Sequence, residues 1–94
     1  MLVKAFLRRR TLMENLRTTD LYLVAYLLNQ KIQPTRITTE GLNGRKKIIF
    51  LFNSAPDVMR YMDAFNRGEA TANVSAFRHD YETVRDWMFA SLRE

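Results

Sequence analysis

Residues 18–28 contain the longest apolar run of the chain, residues 21–28, which has the hydrophobic pattern of a helix that is covered on several sides. From Leu21 onward, the apolar positions follow the i, i+3, i+4, i+7 spacing of an amphipathic helix, and a second apolar stripe runs beside the first. A threonine hydroxyl at its start can accept a hydrogen bond from an unpaired backbone N–H, and Asp20 stands where the helix dipole favours negative charge. We predict that a helix begins at residues 18–20 and packs against the rest of the chain or a second copy of it.

A β-hairpin is predicted after this helix. Pro34 disfavours the helical conformation at the residue before it, so the helix ends upstream. Over residues 35–40, β-branched side chains alternate with others, which is typical of a strand with one side in water. Asn43 and Gly44 form the dipeptide that type I′ turns prefer, because both positions tolerate a positive φ. The second strand, residues 46–52, lacks alternation, which indicates a strand covered on both faces or central in a sheet.

Two further helices are predicted after the hairpin. Ser54 is placed to cap the first of them, with Asp57 reaching back as in a capping box. Gly68 ends this helix as a left-handed C-cap. After a short link, the last helix begins near Asn73 or Ser75 and carries its own apolar stripe. The sequence therefore predicts an α+β fold in the order helix, hairpin, helix, helix.

The first seventeen residues form a basic segment with an imperfect helical pattern. Its apolar residues precede the triple arginine at 8–10, and no small-residue cleavage site follows, so the order is wrong for a secretory signal. The segment is a basic arm, an additional helix, or residues upstream of a natural start at Met13. We expect it to become ordered only on contact with a partner. The predicted organisation is an arm or helix over residues 1–17 and one α+β domain over residues 18–94.

The net charge of +5 is concentrated in two parts of the chain. Residues 1–17 and residues 31–53 each carry +4, whereas residues 18–30 carry −1 and residues 54–94 carry −2. This asymmetry is typical of a protein that meets a polyanion, and it also suits an arm that docks on an acidic partner or a neighbouring subunit.

The sequence offers little for catalysis or metal binding. It contains no cysteine, and a single histidine, His79, cannot by itself anchor zinc or a His-based catalytic triad. Neither a glycine-rich phosphate loop nor a nucleophile elbow is present. No apolar run approaches the roughly 18 residues that a membrane span requires. We therefore predict a cytoplasmic protein that is not an enzyme, with no catalytic residue, metal ligand, cofactor or membrane contact.

The hairpin is the predicted functional site. Two strands alone are barely stable, so we expect the hairpins of two copies to join across a two-fold axis into a four-stranded sheet in a homodimer. Basic side chains on twin hairpins suit contacts with the phosphates of DNA or RNA, which supply affinity without reading sequence. Lysines near a sheet edge equally suit a defence against unwanted strand pairing. The predicted nucleic-acid-binding residues are Arg36, Arg45, Lys46 and Lys47 in the hairpin and Arg8, Arg9 and Arg10 in the arm.

The alternative is a protein-interaction module, for instance a phage factor that binds a host protein. This hypothesis uses an exposed aromatic and apolar surface near Tyr22, Tyr26 and Trp87. The two tyrosines lie four residues apart and carry hydroxyls that need water or a partner. The same rings suit core and rim positions, and base stacking is a further use for them.

Three stretches of the chain form a recognisable combination. They are TTDLYLVAYLL, the strand KIIFLFN that leads into a capped helix, and GEATANVSAF followed by a helix containing YETVRDWMF. Together they resemble a family of small bacterial and phage domains of uncharacterised function. The resemblance covers residues 18–92 and implies an α+β fold and a bacterial or phage context. It transfers no catalytic or binding residue, and residues 1–17 have no counterpart in it.

Overall fold

The computed structural model describes residues 16–93, apart from the side chain of Leu42, and shows three helices against one face of a three-stranded antiparallel sheet. This arrangement confirms the predicted α+β fold. In chain order the elements are β1 (Leu16–Thr18), α1 (Leu21–Asn29), β2 (Arg36–Leu42), β3 (Arg45–Phe52), α2 (Pro56–Asn66) and α3 (Val74–Leu92).

Strand β3 is central, because the strand order is β1-β3-β2. Phe50 lies opposite Thr18 of β1 on one side and opposite Ile37 of β2 on the other. The central position predicted for this strand is therefore confirmed. Strand β1 was not predicted: Leu16 and Arg17 were assigned to the N-terminal segment and Thr18 to the start of the helix. Three residues are too few to show an alternating pattern, so β1 exists as a strand only through its pairing with β3.

The two faces of β3 explain why its sequence lacks alternation. Successive side chains of a strand point to opposite faces of the sheet. Ile48, Phe50 and Phe52 therefore lie on the face that packs against the helices, where they belong to the core cluster. Ile49 and Leu51 lie on the opposite face, and they are buried as well.

The turn of the hairpin has the predicted geometry. Asn43 has φ 57° and Gly44 has φ 80°, and both values lie in the left-handed region that a type I′ turn requires. Asparagine and glycine adopt this region at the lowest cost, so these two residues determine where the chain reverses. The predicted β-hairpin is confirmed.

Helix α1 supplies the largest share of the core. Residues 23–27 are all buried. Because successive residues are rotated by about 100° around the helix axis, these five residues surround the axis completely. The prediction that this helix is covered on several sides is confirmed. The buried core cluster consists of Leu23, Val24, Ala25, Leu27, Ile48, Phe50, Phe52, Val58 and Val84.

The start of α1 is capped by a side chain. The carboxylate of Asp20 accepts hydrogen bonds from the backbone N–H groups of Tyr22, at 2.9 Å, and Leu23, at 3.3 Å. The hydroxyl of Thr18 accepts a hydrogen bond from the N–H of Asp20 at 3.1 Å. These bonds satisfy N–H groups that have no partner inside the helix. The predicted start is confirmed, but the side chain that caps the helix is that of Asp20, whereas the prediction assigned the capping hydrogen bond to a threonine hydroxyl.

The start of α2 differs from the prediction. Ala55, not Ser54, occupies the capping position, and its side chain makes no capping hydrogen bond. Pro56 is the first helical residue, and because it has no N–H it leaves one fewer donor to satisfy. Asp57 lies in the first turn, where its carboxylate is 3.4 Å from the guanidinium of Arg60. Gly68, with φ 74°, follows the end of the helix as predicted.

Helix α1 ends in a Schellman motif with a lysine in the left-handed position. The N–H of Lys31 donates to the carbonyl of Leu28 at 2.9 Å, and the N–H of Ile32 donates to the carbonyl of Leu27 at 2.9 Å. Lys31 has φ 68°, a conformation in which its Cβ crowds the backbone. Glycine is the usual residue at this position.

We expect Lys31→Gly to raise the free energy of unfolding by about 0.5–1 kcal/mol. The left-handed strain of a residue with a Cβ is of order 1–2 kcal/mol, and the greater freedom of glycine in the unfolded chain offsets part of it. Urea denaturation followed by circular dichroism measures the change. Gly68→Ala, at the matching position of α2, should shift the stability in the opposite direction. A loss of stability in Lys31→Gly would contradict the assignment.

Candidate nucleic-acid interface

The face of the sheet that points away from the helices is called here the outer face. Side chains that lie opposite each other in neighbouring strands share a face, so the registers of both strand pairs define its members. Alternate residues of each strand contribute. The described side chains of the outer face are Arg17, Arg36, Thr38, Glu40, Arg45, Lys47, Ile49 and Leu51.

Basic residues from all three strands meet on this face. Arg17 of β1 and Arg36 of β2 lie on either side of Leu51. Since neighbouring strands are about 4.8 Å apart, the backbones of these two arginines are about 10 Å apart. Lys47 lies opposite Glu40, and Arg45 begins β3 at the hairpin end of the sheet. The four cations thus extend along the whole length of the central strand.

On the outer face, exposed charged side chains lie beside buried apolar side chains. Ile49 and Leu51 are 3% and 8% exposed, whereas all four basic residues of the face are exposed. Long basic side chains can cover apolar surface with their stems while their charged ends stay in water. The charged ends are therefore accessible to a ligand, and the apolar side chains beneath them are not.

One ion pair crosses the sheet. The guanidinium of Arg17 lies 2.9 Å from the carboxylate of Glu40, so it joins the two edge strands over β3, beside Ile49. The two side chains are 57% and 60% exposed, and ion pairs in water contribute about 0–1 kcal/mol to stability. Arg17 can exchange this carboxylate for another anion at little cost.

Charge is divided between the sheet and the helices. Within the described elements, the strands carry five basic residues and one acid, for a net +4. Helices α2 and α3 together carry three arginines and five acids, for a net −2, and α1 carries no charge. The positive charge of the described elements is therefore concentrated in the strands.

The structure separates one predicted cation from its neighbours. Arg36, Arg45 and Lys47 share the outer face, but Lys46 lies on the helix face of β3. Its ammonium group donates to the carbonyl oxygen of Leu92 at 3.5 Å. The sequence grouped these three consecutive cations, but a strand sends successive side chains to opposite faces, so Lys46 does not share the outer face.

Two further outcomes concern the basic residues. Arg17 lies on the outer face but was not among the predicted residues, because its place there depends on strand β1, which has no sequence signal of its own. Its position in the chain, directly before the helix start predicted at residues 18–20, gave no reason to place it beside the hairpin. The predicted contacts of the arm, Arg8, Arg9 and Arg10, lie outside the described residues.

The predicted aromatic surface is not one surface. Tyr22 is 57% exposed and stacks on Tyr81 of α3, with ring centroids 5.0 Å apart. Tyr26 is 6% exposed and packs against Tyr61 and Phe65 of α2, each with a centroid distance of 6.0 Å. The expectation that Tyr26 is available to a partner is corrected, since its neighbours in α2 cover the ring.

Trp87 lies apart from both tyrosines. It is half-buried, packs against the core cluster, and lines a groove between α3 and the beginning of β2. Ile37 of β2 and Ala90 of α3 line the same groove.

A comparison with protein families identifies the family of this chain. The model of DUF5659, a domain of unknown function, matches residues 13–90. The chain belongs to the DUF5659 family. The matched residues include all three strands, so the outer face lies within the DUF5659 domain. This confirms the expected membership of a family of small domains of uncharacterised function. No curated protein and no solved structure matches the chain.

Two further observations apply to residues 16–93 of this DUF5659 domain. None of the helices there combines the length and the apolar character needed to cross a membrane. No three His, Asp or Glu side chains of the same part lie together in a way that could hold a metal ion.

Proposed function

We propose that this protein is a small, non-enzymatic accessory factor that binds nucleic acid in the cytoplasm. In this proposal the outer face lies against the phosphate backbone, with Arg17, Arg36, Arg45 and Lys47 making the contacts. The observation that supports it is the gathering of four exposed cations, with a single acid, on one face of the sheet. Phosphate contacts of this kind supply affinity and orientation without reading sequence.

The composition of the outer face favours backbone contacts over base contacts. Stacking of unpaired bases requires exposed aromatic rings, and the described side chains of the outer face include none. Its apolar members, Ile49 and Leu51, are buried. We therefore expect similar affinities for different base sequences of equal length.

The test is a fluorescence anisotropy titration with labelled single-stranded and double-stranded DNA and RNA over a range of salt. Release of counterions makes the logarithm of the affinity fall linearly with the logarithm of the salt concentration. Four phosphate contacts correspond to a slope of about −3 for single strands and about −3.6 for duplex DNA. Absence of binding at about 50 mM salt would rule the proposal out.

Two adjacent lysines provide a matched pair of variants. Lys47→Ala removes a cation from the outer face, and we expect the salt slope to become shallower by about 0.7–0.9 with weaker binding to all sequences. Lys46→Ala makes the same change in charge on the helix face and should leave the slope unchanged. Equal effects of the two variants would show that net charge, not the outer face, governs binding.

A protein-binding role is the second candidate, and the exposed stack of Tyr22 on Tyr81 favours it. An exposed ring held by a neighbour contributes contact area at low entropic cost. In this alternative the domain is a phage or bacterial module that binds a host protein. A partner that is captured from nuclease-treated lysate by the wild type, but not by Tyr22→Ala, would favour this role over nucleic-acid binding.

A further inference from the structure

Strand β2 forms one edge of the sheet within residues 16–93. It pairs with β3 through seven residue pairs, and no described strand lies on its other side. The opposite edge, β1, has three residues, whereas β2 has seven and contains no proline. A strand of this length at an edge presents a row of backbone groups that can pair with another chain.

The sequence of β2 is complementary to itself in the antiparallel direction. When Thr38 lies on a two-fold axis perpendicular to the sheet, Arg36 stands opposite Glu40 of the second copy, and the reverse pair forms on the other side of the axis. Both pairs lie on the outer face. On the helix face, Ile37 stands opposite Thr39 of the second copy.

Other registers lose this complementarity. If the helices of both copies stay on the same side of the joined sheet, residues that pair across the interface must point to the same face. The register can therefore change only in steps of two residues. Moving the axis from Thr38 to Ile37 or Thr39 places Arg36 opposite an uncharged residue. A single register therefore forms two opposite-charge pairs across the interface, each favourable by cross-strand standards. In this register each Glu40 carboxylate lies between Arg17 of its own copy and Arg36 of the other copy.

We infer that two copies of this chain join along β2 into a continuous six-stranded antiparallel sheet, with Thr38 on the axis. The partner is a second copy because the charge pattern of β2 matches itself. The groove between β2 and α3, which Trp87 lines with Ile37, lies at the same edge and is covered by the second copy. This inference goes beyond nucleic-acid binding and does not depend on it.

A charge exchange tests the partner. Sedimentation equilibrium should show a dimer of the wild type, and Arg36→Glu and Glu40→Arg should each raise its dissociation constant about tenfold or more, because two attractive pairs become repulsive. Mixing the two variants should restore the dimer, since each copy then faces the opposite charge. Arg78→Glu on α3, with the same change in charge, should dimerise like the wild type. A monomeric wild type at several hundred micromolar, or a mixture that does not recover, would overturn the inference.

Single cysteines test the register, because the natural chain contains none. Across the axis the Cα atoms of Thr38 and its copy are about 4.5–5.5 Å apart, within the range that a disulfide bridges. The Cα atoms of Thr39 and its copy are about 8 Å apart, which is beyond that range. Thr38→Cys should therefore form a covalent dimer under mild oxidation and Thr39→Cys should not. Equal cross-linking of both variants, or cross-linking of Thr39→Cys alone, would overturn the register.

Discussion

Replacing Phe50 with alanine is expected to lower the free energy of unfolding by about 3–5 kcal/mol. The side chain is 0% exposed and lies in the central strand, between Thr18 of one edge strand and Ile37 of the other. Its removal takes away apolar burial and leaves a cavity where helices and sheet meet. Because domains of this size are stable by about 5–15 kcal/mol, the loss is a large fraction of the total. Urea denaturation measured by tryptophan fluorescence reports it.

Phe89 provides the matched control for this change. It lies in the same domain, on α3, and it is 46% exposed. Phe89→Ala removes the same atoms from a position that water already reaches, so we expect a loss of less than about 1 kcal/mol. Similar losses at both positions would mean that the core does not centre on β3.

The second large effect is expected from removing three cations of the outer face together. In the variant Arg17→Gln, Arg45→Gln, Lys47→Gln, the affinity for nucleic acid at about 50 mM salt should fall on the order of a hundredfold or more. Each lost phosphate contact removes the release of nearly one counterion, so the salt slope should also become shallower by about 2–3. Arg36 is also a proposed phosphate contact, but it is kept because the inferred dimer uses it, so that a loss of dimerisation does not accompany the loss of the other three contacts.

The control for this variant removes the same charge from another part of the molecule. Arg78→Gln, Arg85→Gln, Arg93→Gln changes two residues of α3 and the residue after it, none of which belongs to the outer face. We expect its salt slope to match that of the wild type, with only a small change in affinity from the lower net charge. Anisotropy titrations of both variants, with circular dichroism to confirm folding, decide the question. A similar loss in both would contradict a role for the outer face.

Local chemistry was enough to predict most of the elements. The positive φ values of Asn43 and Gly44, the left-handed Gly68 and the cap at Asp20 all involve residues within a few positions of each other. Such features can be predicted from the local sequence, because they depend on the conformational freedom of single residues and on backbone N–H donors a few residues away. The prediction failed at the start of α2, where Ala55 occupies the capping position and Pro56 is the first helical residue. Proline favours the first helical position, which places the cap one residue after Ser54.

The candidate site was predicted less completely. The basic hairpin was recognised from its charge, but its division into two faces was not, so Lys46 was grouped with Lys47. Tyr22 and Tyr26 lie four residues apart, a spacing that places two side chains on one face of a helix. Tyr22 is nevertheless exposed, whereas Tyr26 is covered by α2. Which face of an element is covered depends on elements that are distant in sequence.

By itself, the sequence determined the α+β class, a helix that begins at residues 18–20, the hairpin with its turn and the concentration of positive charge in the hairpin. Periodicity, turn chemistry and composition carry this information without any long-range contact. Only the tertiary structure decided that Leu16–Thr18 is a strand and that Arg17 joins Arg36 on one face. The reason is physical: a three-residue strand exists only while a neighbour supplies its hydrogen bonds, and the neighbour, β3, lies more than thirty residues further along the chain.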